Sequence, residues 1–137
     1  MRYMILVKGD EVVESGGMPD PAAIAEMADY HEALQEAGVL VDASGLQPSA
    51  RGFRVRYAGA KRSVVDGPFI ETKELIGGYT IIRVSSHDEA IAWALRFPNP
   101  RGEGQACEIE VRRMFELDDF EPGDGVERFR RMGVGGV

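Results

Sequence analysis

The segment Asp66-Gly67-Pro68-Phe69-Ile70-Glu71-Thr72-Lys73-Glu74, which runs on to Gly77-Gly78-Tyr79, carries more polar groups than a short link between strands needs. Asp66 stands at a strand end, directly before a Gly-Pro turn. Its carboxylate can cap the turn's amides or project into a cleft as a proton acceptor, and its spacing favours the cap. Glu71 and Glu74 lie three apart, so they can share a helical face and hold one pKa up if buried, or stay solvated with Lys73 to neutralise them. His31 is the one imidazole on an apolar helical stripe. It is either packed in the core or a general base whose tautomer Asp66 holds, with Tyr79 or Lys73 lining the same cleft.

Other groups carry less. Arg54, Arg56 and Arg62 can present a cationic face to an anionic ligand, but edge strands also carry such charges simply to block aggregation. Cys107 falls on the apolar side of an expected strand, where a thiol behaves as a small hydrophobe. His87 opens a helix and should be exposed. Two histidines more than fifty residues apart give no metal-ligand spacing, so no metal site is expected. No phosphate loop, dinucleotide fingerprint or serine elbow occurs, and no nucleotide cofactor is expected.

These residues must be positioned by strands and helices legible from patterning. Residues 2–7 form a nearly continuous apolar run, the mark of a central strand. A loop over residues 8–19 leads to Asp20, an N-cap with Pro21 at the first helical position, and Gly38 sits where a helix ends in a left-handed residue. Between them Ile24, Met27, His31 and Leu34 make the inward stripe, opposite Glu26, Asp29, Glu32 and Glu36. Val39-Leu40-Val41 begins the next strand. Phe53, Val55 and Tyr57 alternate with Arg54 and Arg56, and the turn at residues 58–61 folds that strand back into a hairpin. Gly77-Gly78 opens a strand reaching Val84. Ser86 and Glu89 form a capping box for a helix that turns Ala90, Ile91, Ala94 and Leu95 inward until Pro98. After a Gly- and Pro-rich loop, Cys107, Ile109 and Val111 alternate in a last strand.

This order predicts an α+β fold, a ferredoxin-like βαββαβ core with an inserted β-hairpin and both helices on one face of an antiparallel sheet. The other face would expose apolar side chains, so a homodimer packed sheet against sheet is expected. From residue 116 the chain mixes Asp118, Asp119, Glu121, Asp124 and Glu127 with Gly and Pro. That reads as a partly mobile tail, with Leu117, Phe120 and Phe129 available to strap it onto a partner.

The chain has 137 residues, 44% of them hydrophobic and 28% charged, which suits one globular domain. A net charge of −7 with dispersed basic residues argues against direct nucleic-acid binding. The single cysteine fits a reducing cytoplasm, and no apolar stretch reaches the roughly 20 residues of a membrane span.

The sequence also resembles the DGPF group of the YCII-related family, named for the residues found here as Asp66-Gly67-Pro68-Phe69. Tyr3-Met4-Ile5-Leu6, Ala37-Gly38-Val39-Leu40, Glu71-Thr72-Lys73-Glu74, Gly77-Gly78-Tyr79 and Asp88-Glu89-Ala90 extend the likeness over residues 1–115 and leave the tail outside it. The resemblance implies a dimeric α+β barrel with a cleft in which a His and an Asp act as an acid-base pair. It also implies association of some members with extracytoplasmic-function sigma factors. The position of the helix-1 His of simpler members holds Met27 here, with His31 one turn later.

Three functions follow as expectations: a small-molecule enzyme using Asp66 and His31, with Lys73, Glu71, Glu74, Tyr79 and Arg56 around the ligand; a non-catalytic regulatory or protein-docking module; or a purely structural motif. A ligand-binding cleft beside the Asp-Gly-Pro-Phe turn is the reading these residues favour.

Overall fold

In a computed structural model that describes residues 1–136, the chain forms a four-stranded antiparallel sheet in the order β2-β5-β1-β6, with a separate two-stranded hairpin. The sheet strands are β1 (Arg2–Lys8), β2 (Leu40–Gly45), β5 (Ile76–Arg83) and β6 (Ile109–Arg113). The hairpin strands β3 (Phe53–Ala58) and β4 (Lys61–Asp66) lie between β2 and β5 in the chain. With helices α2 (Pro21–Glu36) and α3 (His87–Leu95) as the two crossovers, this is the expected ferredoxin-like α+β order interrupted by an arm.

Register decides which side chains meet the helices. Tyr3 lies opposite Ile82 and Ile5 opposite Thr80, so these four share one face. Tyr30 and Leu34 of α2 and Ala90 of α3 complete the buried cluster on that face, with Ile5, Leu34 and Ile82 fully enclosed. Met4, Leu6, Tyr79 and Ile81 alternate onto the opposite face and are only half-buried.

The caps form as read from sequence. Asp20 accepts from the Ala22 amide and Gly38 adopts φ +75° after the end of α2. Ser86 accepts from the Glu89 amide, although Glu89 reaches back to the Ser85 amide and not to that of Ser86. The inward stripes differ. Ile24 on α2 and both Ile91 and Leu95 on α3 are exposed. The inner surfaces are built instead from Tyr30, Trp93 and Phe97, whose rings meet edge to face. Large aromatic rings fill the wedge between two helices and a twisted sheet better than aliphatic side chains do.

Two further expectations are corrected. The loop expected over residues 8–19 contains a short helix, α1 (Glu11–Glu14), whose amides Val12 and Val13 donate to the Asp10 carboxylate. Cys107 is exposed and precedes β6, so it has no apolar strand face to fill. The segment beyond residue 115 forms a turn at Leu117–Asp119 and a helix α4 (Asp124–Met132). Leu117 is buried, and ion pairs from Arg128 to Asp124 and from Arg130 to Asp118 run along this segment. No helix of the described residues is long and apolar enough to cross a membrane.

Tyr30 ties the two long helices together by donating its hydroxyl to the Trp93 carbonyl at 2.8 Å. Burial pushes its phenol from 10.0 up to about 12, against a smaller opposing pull from Arg96. A raised folded-state pKa means that the folded chain holds the proton more tightly than the unfolded chain. The contribution is therefore complete below pH 10.0 and is lost as pH climbs towards 12. Tyr30→Phe should cost about 1 kcal/mol at neutral pH through the lost hydrogen bond. It should also flatten the fall in melting temperature over that alkaline window, which thermal melts of both proteins across the window would measure.

Candidate functional site

A cleft of about 300 Å³ opens beside the Asp-Gly-Pro-Phe turn, walled by residues from 9–14 and 46–52, by Phe69 and by residues 75–77, with none of Glu71, Lys73 and Glu74 in its lining. Its floor is backbone. A Cβ on Gly77 would come within 2.9 Å of the Lys8 carbonyl, and one on Gly9 within 2.6 Å of the Thr72 carbonyl, so glycine at both positions lets neighbouring segments close up. Gly9 donates to the Leu75 carbonyl and Leu46 to that of Gly77, which pins the walls to this floor.

Ser49 joins the walls to one another. Its amide donates to a Glu14 carboxylate oxygen at 2.6 Å, and its hydroxyl accepts from the Phe69 amide at 3.0 Å. The amide of Gly67 donates to the Gly52 carbonyl, and a Cβ on Gly67 would run into the Ser49 carbonyl. The Gly67–Pro68 peptide bond is cis. Arg54 lies over the Phe69 ring with 3.8 Å from its guanidinium carbon to the ring centroid, which orients this aromatic wall.

Val13, Leu46, Pro48, Phe69, Leu75 and Ile76 make the lining largely apolar, with Asp10, Glu14 and Arg51 as its charged groups. Asp10 spends one carboxylate oxygen on the α1 amides and Glu14 spends one on Ser49. The arrangement can hold an apolar body on Phe69 and satisfy a few polar groups through the remaining carboxylate oxygens and the Arg51 guanidinium. Among the described residues no group of three or more His, Cys, Asp and Glu side chains converges as a metal-ligand set would.

The residues singled out in the sequence do not assemble. His31 faces the sheet, with Nδ1 2.7 Å from the Met27 carbonyl and Nε2 2.8 Å from the Thr80 hydroxyl. The carbonyl can only accept, so Nδ1 donates to it, while Nε2 pairs with the Thr80 hydroxyl, a group able to donate or accept. Asp66 is exposed at the end of β4, opposite Phe53, and its carboxylate makes no hydrogen bond or ion pair among the described residues. The acid-base pair is therefore not formed, and neither is the cap at Asp66. Tyr79 and Thr80 are neighbours on one strand and point to opposite faces, so His31 and Tyr79 cannot line a common cleft. Tyr79 instead donates to Asp42 at 2.9 Å, and that carboxylate raises the phenol's pKa. Lys73 and Glu74 lie in an exposed turn after Glu71, and Arg56 lies on the arm. The three arginines do not form one face either: Arg54 and Arg56 share a side with Lys61, while Arg62 sits over Tyr57 on the other.

The cleft residues that sequence reading passed over are Asp10, Glu14, Ser49 and Arg51. Asp10 had a readable signal, an N-cap residue before Glu11-Val12-Val13-Glu14 with Gly16-Gly17 behind it. Ser49 had none, because its importance comes from a contact with a turn twenty residues away.

A ferredoxin-like sheet with an arm between its second and third core strands, and a Gly-Pro turn packed on a cleft at the arm's base, defines a small α+β domain class. Residues 1–115 match the YCII-related domain, and the chain belongs to that family. An uncharacterised protein of Rhizobium meliloti (strain 1021) is 28% identical over 118 residues, 85% of this chain and 95% of that protein. Among solved structures, the 5-chloro-2-hydroxyhydroquinone dehydrochlorinase of Burkholderia phenoliruptrix AC1100, in complex with 2,5-dihydroxybenzoquinone, matches 88% of this chain and 100% of its own. The identity is 15% and the TM-score 0.47.

Two substitutions separate the roles within the motif. Gly67→Ala drives a methyl into backbone and should cost about 1–3 kcal/mol. Asp66→Ala removes a carboxylate that makes no hydrogen bond or ion pair among the described residues and should change stability by no more than about 0.5 kcal/mol. Urea unfolding of both variants would check the contrast, and a loss of about 1 kcal/mol or more from Asp66→Ala would restore the capping role.

Proposed function

We propose that this YCII-related chain binds a small molecule in the cleft walled by residues 9–14 and 46–52, Phe69 and residues 75–77, with its apolar body against Phe69. The observation that carries this reading is the bonding of the walls. Glu14, Ser49 and Phe69 come from separate segments, and two hydrogen bonds through one serine hold them around an open volume. A cavity lined mainly by apolar side chains with a few placed polar groups is the usual form of a small-molecule site.

The role is binding. His31 has both ring nitrogens engaged away from Asp66, and acid-base chemistry through that pair has no support in the geometry. Glu14 and Asp10 are the carboxylates that a ligand in the cleft would meet, each with one oxygen free for a hydroxyl or amine.

Leu46 is half-exposed on the cleft wall and is held there by its own backbone, so Leu46→Trp should fill the cavity while leaving the fold intact. A thermal-shift screen of small metabolites on wild type and Leu46→Trp is the test. A ligand at about one hundred times its dissociation constant adds about 2.7 kcal/mol of stability, and the shift should vanish in the variant. Hits that stabilise both proteins equally would move the site elsewhere.

A further inference from the structure

The cleft at the base of the arm carries opposite charges on different walls. Asp10 and Glu14 flank the short helix α1 and make one wall acidic, and Arg51 stands on the wall formed by residues 46–52. The bond from the Ser49 amide to Glu14 fixes these walls against each other two residues before Arg51. All three charged groups line one cavity, yet none of them takes part in an ion pair among the described residues. The α1 amides take one oxygen of Asp10 and the Ser49 amide takes one of Glu14. The second oxygen of each carboxylate and the guanidinium of Arg51 are therefore available to a ligand.

This pattern selects the ligand by charge. Two carboxylates against one guanidinium give the lining a net −1. A phosphate ester or a dicarboxylate would meet two like charges there. A neutral apolar molecule would draw all three groups out of water with no partner for any of them. A simple amine answers the carboxylates and leaves the guanidinium unmatched. An ammonium and a carboxylate on neighbouring atoms, with an apolar group in a third direction, answer every wall at once. The apolar group has Phe69, Leu46 and Leu75 to pack on.

Size agrees with charge. A cavity of about 300 Å³ holds roughly ten non-hydrogen atoms at liquid density. That is the size of leucine or phenylalanine, and it is too small for a nucleotide.

We propose that the cleft ligand is a free apolar α-amino acid, its ammonium held by Asp10 and Glu14, its carboxylate by Arg51 and its side chain against Phe69. This inference rests on the reading of the cleft as a small-molecule site and adds the class of molecule that enters it.

Isothermal titration calorimetry on the full chain with L-leucine and L-phenylalanine tests it, with isoamylamine and isocaproate as leucine analogues that each lack one charge. Both amino acids should bind saturably, and each analogue should bind about tenfold or more weaker than L-leucine. Arg51→Gln should lower the affinity for L-leucine to that for isoamylamine and leave isoamylamine unchanged. Asp10→Asn keeps an oxygen for the α1 amides and removes the charge, so it should weaken L-leucine and isoamylamine alike while isocaproate binds no worse.

An analogue that binds as tightly as L-leucine would overturn the proposal, as would an Arg51→Gln variant with unchanged affinity for the amino acid. So would the lack of saturable binding of either amino acid up to about 10 mM. Neutral or anionic metabolites that stabilise wild type and not Leu46→Trp would keep the cleft as the site and defeat the amino-acid class. L-Leucine binding equally to wild type and Leu46→Trp would defeat the cleft reading itself, and the proposal with it.

Discussion

The contact between the Ser49 carbonyl and the glycine at position 67 is the constraint around which the distinctive half of this molecule is organised. Without a side chain at Gly67 the turn after β4 can lie directly on the turn before β3, and the Gly67 amide and Phe69 amide then find partners in Gly52 and Ser49. The same serine reaches Glu14 on the far wall. One close backbone approach therefore sets the base of the arm, the pose of Phe69 and the opening of the cleft. The Asp-Gly-Pro-Phe turn is first an architectural device, and its glycine and phenylalanine matter more to that device than its aspartate.

The sheet imposes a second constraint. Alternation along β5 sends Thr80 to the helices and Tyr79 to the opposite face, so the polar residues of the signature segment are distributed and not pooled. His31 becomes part of the helix-sheet packing, donating within its own helix and pairing with the buried Thr80 hydroxyl of the sheet. Tyr30 does comparable work between the helices through the Trp93 carbonyl. Their hydrogen bonds satisfy these polar groups within the helix-sheet packing.

Much of the fold was legible because local signals agreed with one another. Asp20, Pro21 and Gly38 bracket α2, strict alternation marks the arm, and β-α-β repeated around a hairpin specifies the sheet order. The illegible parts were those decided by shape at long range. Ile24, Ile91 and Leu95 satisfy the helical period, yet the rings of Tyr30, Trp93 and Phe97 choose the inward face. The candidate site suffered more. Asp66, Glu71, Lys73 and Glu74 attract attention by type, while Ser49 is an ordinary residue made important by the partners that folding brings to it, and Arg51 by its place on the cleft wall.

Glu14, Ser49 and Phe69 act as one unit, a coupling that native-state amide hydrogen exchange addresses most directly. The amides of Ser49, Gly67 and Phe69 should be protected with a common opening free energy, well above that of the free turn at residues 59–60. Fast and mutually independent exchange at Ser49 and Phe69 would mean that the walls are not joined, and the cleft would then be a chance gap between loops.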